Sequence, residues 1–418
     1  MCVTLFNKAM GLFIKAVAFP MNWLCCQIGA REHYAVARAL HKIGALELLM
    51  TDIWCSPGNP LAIASGSLRE RFHSELATSN VSASNLQALR FELRARLVGL
   101  NGWSRMIARN MWFQQNAALR LSMIGAADSP RVLFAYSYAA RQLFQIARKR
   151  GWLTVLGQID AGPVGGRIVE RLHAENSVLQ RQFAGPPSKY WKDWREECAL
   201  ADRVVVNSSW SQAALENEGV PSSKIRVVPL AYEGSITSTK VSRVYPSKFK
   251  SSRPLRVLFL GSIHLGKGVG PLFDAIRLMS GAPVEFWFVG EAQVAIPIQL
   301  QSNSKVRWIG PVPRSETAKY YSIADVFIFP TFSDGFGLTQ LEAQAADLPV
   351  IASRNCGNVV EHGQNGLLLN EVSVSEIVDK LNFIIANPSV LAEMSAKARQ
   401  TVAAYNLDCV SHNLMELF

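Results

Sequence analysis

The sequence predicts an α/β protein made of two Rossmann-like domains that face each other across a cleft. Three observations lead there. Short, almost wholly apolar runs recur in both halves, such as RVLFAY (131–136), RVVVN (203–207), VEFWFVG (284–290) and DVFIFP (325–330). Runs of this kind belong to parallel strands buried on both faces. Helix-like or loop segments separate them, the rhythm of parallel α/β architecture. Finally, EGSITSTKVSRVYPSKFKSSRP divides the two series and carries no acidic residue after Glu233, which makes it the best linker in the chain. With two such halves, a ligand cleft should lie where the C-terminal ends of their strands meet.

Composition narrows the class. A chain of 418 residues with 49% hydrophobic content can bury cores for two or three domains. The cysteines, at 2, 25, 26, 55, 198, 356 and 409, are odd in number and form no C-x-x-C pair. That argues against a disulfide framework or a zinc site and fits a cytoplasmic, reducing setting. The net charge of +11 suits an anionic partner such as a membrane surface or a phosphate-bearing substrate, or simply a high isoelectric point. Nucleic acid is disfavoured, because no recognisable module interleaves aromatics with clustered Arg and Lys.

The elements follow in order. Residues 1–20 form a leader of uncertain role, too short and interrupted in its apolar part to span a bilayer, although shallow membrane contact fits it. A first domain covers 21–233. It opens with a strand at Asn22–Ile28, a glycine turn at Gly29 and a helix carrying Tyr34, Ala37, Leu40 and Ile43 at helical spacing. Residues 65–127 read as mostly helical and arginine-rich (Arg69, Arg71, Arg90, Arg94, Arg96, Arg105, Arg109), which is either a solvated face or an acceptor- or membrane-facing surface. Strands are expected again at 131–136, 153–157, 203–207 and 225–229. A linker follows at 234–254, then a second domain at 255–418 whose last helix can cross back to the first. Its strands are placed at 256–261, 284–290, 305–310, 325–330 and 349–353, with helices at 267–280, 315–323, 338–347 and 373–386.

The most informative segment is TFSDGFGLTQLEAQAADLPVI (331–351). A strand ends at Pro330, a glycine-rich loop follows, and a helix starts near Leu338. Free N–H groups at that start can hold phosphate oxygens, aided by the helix dipole. Gly335 and Gly337 let the backbone approach a ligand closely. Asp334 lies in the loop and Glu342 in the helix, so Asp334 should sit above the phosphates while Glu342 points along the groove.

This segment resembles the E-x7-E signature of retaining glycosyltransferases of family 4, which adopt the GT-B fold, with Asp334 in place of the first Glu. ADRVVVNSSWSQAALENEGVPSSKIRVVPLAYE (201–233), LRVLFLGSIHLGKGV (255–269) and VRWIGPVPRSETAKYYSIADVFIFP (306–330) are similar to the same family in the same order. The resemblance implies a donor site that takes a UDP- or GDP-sugar, with no further cofactor. Glu342 would bind the ribose, Asp334 the sugar and Lys267 the diphosphate. The backbone at Phe336, Gly337 and Leu338 would meet phosphate, Val312 the base, and Gly29, Gly261 and Gly290 would line the floor. The acceptor would be a glycan, lipid or small molecule bound by the first domain, in polysaccharide or glycoconjugate biosynthesis.

Two departures matter. Ser262 stands where relatives often carry Arg, so His264 or an arginine from elsewhere would have to supply the second cation. In LTVLGQIDAGP (153–163) the strand that usually ends in a histidine offers Gln158 and then Asp160, which the resemblance makes candidates for orienting the sugar or the acceptor. No D-x-D occurs in the chain, so no metal site is expected and Lys267 with backbone dipoles must meet the leaving-group charge. The alternative from another class is a non-catalytic nucleotide-sugar-binding protein derived from such an enzyme. A dehydrogenase is disfavoured because no G-x-G-x-x-G follows the first strand.

Overall fold

The computed structural model describes residues 21–59, 68, 70–179, 183–232 and 243–418. The leader at 1–20, Arg69 and the linker residues 234–242 lie outside that set.

Two parallel sheets form the frame. The first contains β1 (Asn22–Gln27), β2 (Leu46–Thr51), β3 (Val81–Ala83), β4 (Arg131–Tyr136), β5 (Leu153–Gln158), β6 (Arg203–Val206) and β7 (Ile225–Val227). They lie in the order β3-β2-β1-β4-β5-β6-β7. The second contains β8 (Leu255–Leu260), β9 (Val284–Val289), β10 (Val306–Gly310), β11 (Val326–Phe329), β12 (Val350–Ala352) and β13 (Gly366–Leu368), in the order β10-β9-β8-β11-β12-β13. Every residue of β4 and of β11 is buried, because helices cover both faces of each sheet. The outcome is a two-domain α/β fold of GT-B type.

Three strands escape the sequence reading. β2 (LELLMT) follows its helix after a brief turn and is interrupted by Glu47, while β3 and β13 are three-residue edge strands with too few positions to show a pattern. The 65–127 region is less continuous than expected: β3 interrupts it, and helices run over Asn85–Leu97 and Gly102–Ser122.

The described end of the linker is docked on the second domain. Arg243 donates to the carbonyls of Ala324 (2.6 Å), Ala346 (2.9 Å) and Tyr321, satisfying acceptors at two helix ends. Arg253 forks onto Asp325 through two 2.6 Å bonds. The final helix, Leu407–Met415, packs on the first domain: Val410 and Leu414 are buried in one cluster with Tyr34, Ala37 and Leu40, and Lys42 pairs with Asp408 at 2.5 Å. No helix among the described residues is long and apolar enough to cross a membrane.

Candidate active site in the interdomain cleft

The C-terminal ends of β1 and β5 in one sheet and of β8 and β11 in the other open onto a single cleft. Gly335 fixes how closely the domains meet there: a Cβ added to it would lie 2.1 Å from the Ile159 carbonyl oxygen. Trp210 Nε1 also donates to Ser333 Oγ at 3.1 Å, and Asn358 Nδ2 to Ser209 Oγ at 3.0 Å. The loop after β11 is anchored from below, where Phe332 N and Thr331 Oγ1 both donate to the Gly266 carbonyl (2.8 and 3.1 Å).

A cavity of about 620 Å³ fills this cleft. From the second domain it takes Lys267, Asp334, Phe336, Gly337 and Leu338; from the first, Gly29 and Ile159. Lys267 ends a 3₁₀ turn (Leu265–Lys267), lies 4.8 Å from the Phe329 ring centroid and forms an ion pair with Asp334. Asp334 Oδ1 also accepts from Phe336 N at 3.2 Å. Gly337 sits at φ +83, and an added Cβ would lie 2.5 Å from the Phe329 ring, so the helix that begins at Leu338 needs glycine before it.

The other expected donor residues stand apart. Glu342 accepts from Tyr321 Oη at 2.8 Å and lies 3.7 Å from Arg314. Val312 is packed against the Leu348 and Val350 cluster. Gly261 and Gly290 pass so closely that a Cβ on Gly290 would lie 2.0 Å from the Gly261 carbonyl oxygen, and Ser262 is exposed. None of these five is among the lining residues of the cavity.

Sequence reading missed most of the first domain's contribution. Asp52, directly after β2, is 1% exposed and gathers four donors: Gly29 N at 2.8 Å, Arg109 at 2.7 Å, Arg71 at 3.2 Å and the hydroxyl of its neighbour Thr51 at 3.2 Å. Both arginines line the cavity with Lys267. One buried carboxylate thus presents two guanidinium groups to the cleft. Arg31 lines it too; it is exposed, sits 5.5 Å from the Tyr136 ring centroid and has no hydrogen-bonded ion pair among the described residues. The signal for Asp52 was its place at the C-terminal end of a parallel strand, where ligand sites gather; with β2 unrecognised, that signal was lost. His264, the other substitute cation, is held neutral, its pKa pushed down to about 4 by burial and by Lys267.

Arg31 begins a strained turn. Glu32, His33 and Tyr34 have φ of 51, 49 and 61, a left-handed path that costs about 1–3 kcal/mol per non-glycine residue. It is held by Tyr34, fully buried against Trp54 with centroids 5.3 Å apart, and by Tyr136 Oη donating to Glu32 at 3.0 Å. Burial raises the pKa of the Glu32 carboxyl.

A second cavity, of about 550 Å³, adjoins the first and shares Ile28, Arg31, Arg109 and Ile159 with it. Trp103, Tyr138 and Tyr190 give it an aromatic wall, with Tyr138 stacked on Tyr190 at 4.6 Å and Trp103 edge-on to Tyr190 at 5.1 Å. Asp160 also lines it. Its Oδ1 accepts from Tyr138 Oη (2.7 Å), Gln158 Nε2 (2.8 Å) and Gly162 N (2.9 Å), leaving Oδ2 without a protein donor among the described residues. Gln158 lies behind, 1% exposed, with its Oε1 taken by Trp194 Nε1 at 2.9 Å. Both ends of its amide are occupied, and it touches the cavity through Asp160 and Tyr138. Glu197, 1% exposed, secures that loop by accepting from the N–H of Tyr138 (2.6 Å), Ala140 (2.8 Å) and Arg141 (3.1 Å); burial pushes its pKa up to about 7.

Comparison with known proteins shows what this chain is similar to. Residues 254–387 match the family profile described as glycosyl transferases group 1. The chain is 28% identical over 219 residues to a D-inositol 3-phosphate glycosyltransferase of Pseudarthrobacter chlorophenolicus, covering 47% of this chain and 51% of that one. It is 25% identical over 245 residues to the protein of that name from Rhodococcus erythropolis, covering 53% and 54%. The chain spans about half the length of the curated relatives it matches. Among solved structures, sucrose-phosphate synthase from Thermosynechococcus elongatus superimposes with a TM-score of 0.63 at 17% identity, over 95% of this chain and 98% of that one. Anabaena HepE in complex with UDP-glucose gives 0.58 at 16%, with the same coverages. The second domain is thereby matched to the group 1 glycosyl transferases, on a chain with the GT-B fold.

Proposed function

We propose that the chain transfers a sugar from a nucleotide-sugar donor in the interdomain cavity to an acceptor in the adjoining one, with retention at the anomeric carbon and without a metal. The observation that carries this is the convergence in one cavity of Lys267, Asp334 and the open helix start at Leu338 with the Gly29 loop of the other domain. Cations and aligned N–H groups stabilise a leaving diphosphate as its charge grows. Arg71, Arg109 and Arg31 fill the role that Ser262 leaves open. The UDP-glucose bound to a neighbour of the same fold favours a UDP-sugar over a GDP-sugar.

In this reading the acceptor hydroxyl attacks from the face the nucleotide leaves. The new C–O bond forms as the bond to the diphosphate breaks, and a diphosphate oxygen takes the proton. Asp334 contacts the sugar, Asp160 Oδ2 the acceptor hydroxyls against the Trp103–Tyr190 wall, and Glu342 the ribose where the donor runs beyond the cavity towards Tyr321 and Arg314. The acceptor is a glycan, lipid or small molecule of polysaccharide or glycoconjugate biosynthesis on the cytoplasmic side. A panel of UDP- and GDP-sugars, assayed for released nucleotide with and without acceptor mixtures, tests it. Acceptor-dependent release and a product of retained configuration are expected. Tight nucleotide binding with no release from any donor would favour the non-catalytic binding protein.

A further inference from the structure

We infer that the solvent face of the Asn85–Leu97 helix is a docking surface for an anionic lipid bilayer. Three leucines on this helix are exposed: Leu86 at 66%, Leu93 at 61% and Leu97 at 87%. Their spacing of seven and four residues puts them within one narrow arc of the helix, and Arg90 and Arg94 flank that arc. The inner face is taken up otherwise: Ala88 and Ala95 are buried, and Phe91 stacks on Trp112 at 5.4 Å. A helix that satisfies its own domain with small residues and aims three leucines at solvent has a second apolar face to cover.

The feature is local. Half of the exposed large apolar side chains among the described residues fall between 86 and 123, on this helix, the following Gly102–Ser122 helix and the residue that ends each. Across 85–123 the sequence holds six arginines and one acid, Glu92, which is itself engaged by Arg105. Leucines that can enter the acyl boundary, flanked by guanidinium groups at headgroup level, make an interfacial helix. Each basic residue gains from the negative surface potential of anionic lipid. A second copy of the chain suits the stripe less well: pairing it across a two-fold axis would set Arg90 and Arg94 against their own counterparts with no free acid between them.

Docking there has a geometric consequence. The Gly102–Ser122 helix carries Trp103, Met106 and Arg109 into the second cavity, so the hairpin touching the bilayer also walls that cavity. If that cavity holds the acceptor, which rests on the proposed transferase function, an acceptor anchored in the same leaflet reaches it from the hairpin side.

Co-sedimentation of the full chain with vesicles of phosphatidylglycerol and phosphatidylcholine, against phosphatidylcholine alone, tests the docking without any sugar substrate. The chain should bind the anionic vesicles, and raising the salt from 0.1 to 0.5 M should release it. Leu93→Gln/Leu97→Gln should weaken the binding by about tenfold or more, and Arg90→Gln/Arg94→Gln should abolish the preference for anionic lipid. Nucleoside diphosphate binding and melting temperature should stay unchanged in both, since these side chains line neither cavity. Equal binding by parent and leucine variant would overturn the inference, as would binding that depends only on residues 1–20 in a truncated chain. A dimer in solution that the leucine variant dissociates, with no vesicle binding, would overturn it in favour of self-association.

Discussion

Asp52 and Arg109, 57 residues apart in the sequence, meet at 2.7 Å beneath the cleft, and the same carboxylate holds Arg71 and the N–H of Gly29. The pairing aims two guanidinium groups at the space where Lys267 lies. A charge-assisted hydrogen bond contributes about 1.5–3 kcal/mol, so Arg109→Gln or Arg71→Gln should each weaken UDP binding by about ten- to a hundredfold, with a smaller fall in melting temperature than Asp52→Asn because the buried carboxylate keeps its other guanidinium and the Gly29 N–H. Asp52→Asn should lower both, because it leaves a partly buried guanidinium unpaired. Calorimetric titration of UDP and thermal unfolding separate the two effects; unchanged UDP affinity in both arginine variants would move the phosphates elsewhere.

Gly335 sets the closed arrangement. An added methyl would overlap the Ile159 carbonyl, a backbone atom that cannot rotate away. Gly335→Ala should therefore hold the domains apart. Scattering should report a larger radius of gyration, and transfer should fall by about two orders of magnitude, because a misplacement of about 1 Å is enough for that loss. Near-parental turnover would show that catalysis does not need this contact.

Much of this was legible in the sequence, and the division is physical. Strands buried on both faces declare themselves by mostly apolar runs bounded by turn residues, so β4, β5, β8, β9 and β11 could be read directly. The second-domain half of the site lies in one contiguous loop and helix start, and a local pattern suffices for that. The Asp52 cluster joins three distant segments, and no local pattern encodes which arginine among many meets which acid. Gln158 illustrates the remaining gap. Sequence reading placed it at the correct strand end, but whether its amide faced the cleft or Trp194 depended on a neighbour 36 residues away.

Glu197 gives a pH signature. Its carboxyl holds its proton up to about pH 7 in the folded chain against about 4.5 when unfolded. Between those values the native state binds more protons than the unfolded one, so this group's contribution to stability falls as pH rises. The slope is at most about 1.4 kcal/mol per pH unit. Denaturant unfolding from pH 4.5 to 7 should show it in the parent and not in Glu197→Gln. Above about pH 7 that variant should also be less stable, because both oxygens of the ionised carboxylate accept backbone N–H bonds and an amide offers only one acceptor. A parent and variant of equal slope would mean that the three N–H donors keep Glu197 ionised.

Metal independence is open to a direct check. Guanidinium groups, Lys267 and a helix start supply fixed positive charge around the cavity, so turnover in excess EDTA should match the untreated rate. Complete loss restored by manganese would show this to be wrong.

The ion pair between Lys267 and Asp334 makes the sharpest test, because it predicts opposite effects on binding and chemistry. An arriving diphosphate must compete with Asp334 for the ammonium group. Asp334→Asn removes the competitor, and for a partly exposed pair worth up to about 1 kcal/mol this should tighten UDP binding about two- to fivefold. The same change removes the carboxylate proposed to contact the sugar, so turnover should drop by about two orders of magnitude. Lys267→Ala should weaken UDP binding and lower kcat by about ten- to a hundredfold, since its contact strengthens as the bond to the sugar breaks. In the double variant, UDP should bind like the Lys267→Ala protein, because the gain from Asp334→Asn needs the lysine that it frees. Titrations and steady-state rates on the four proteins complete the cycle. If Asp334→Asn weakens UDP binding, or if its gain persists without Lys267, the two side chains are not rivals and the diphosphate does not lie between them.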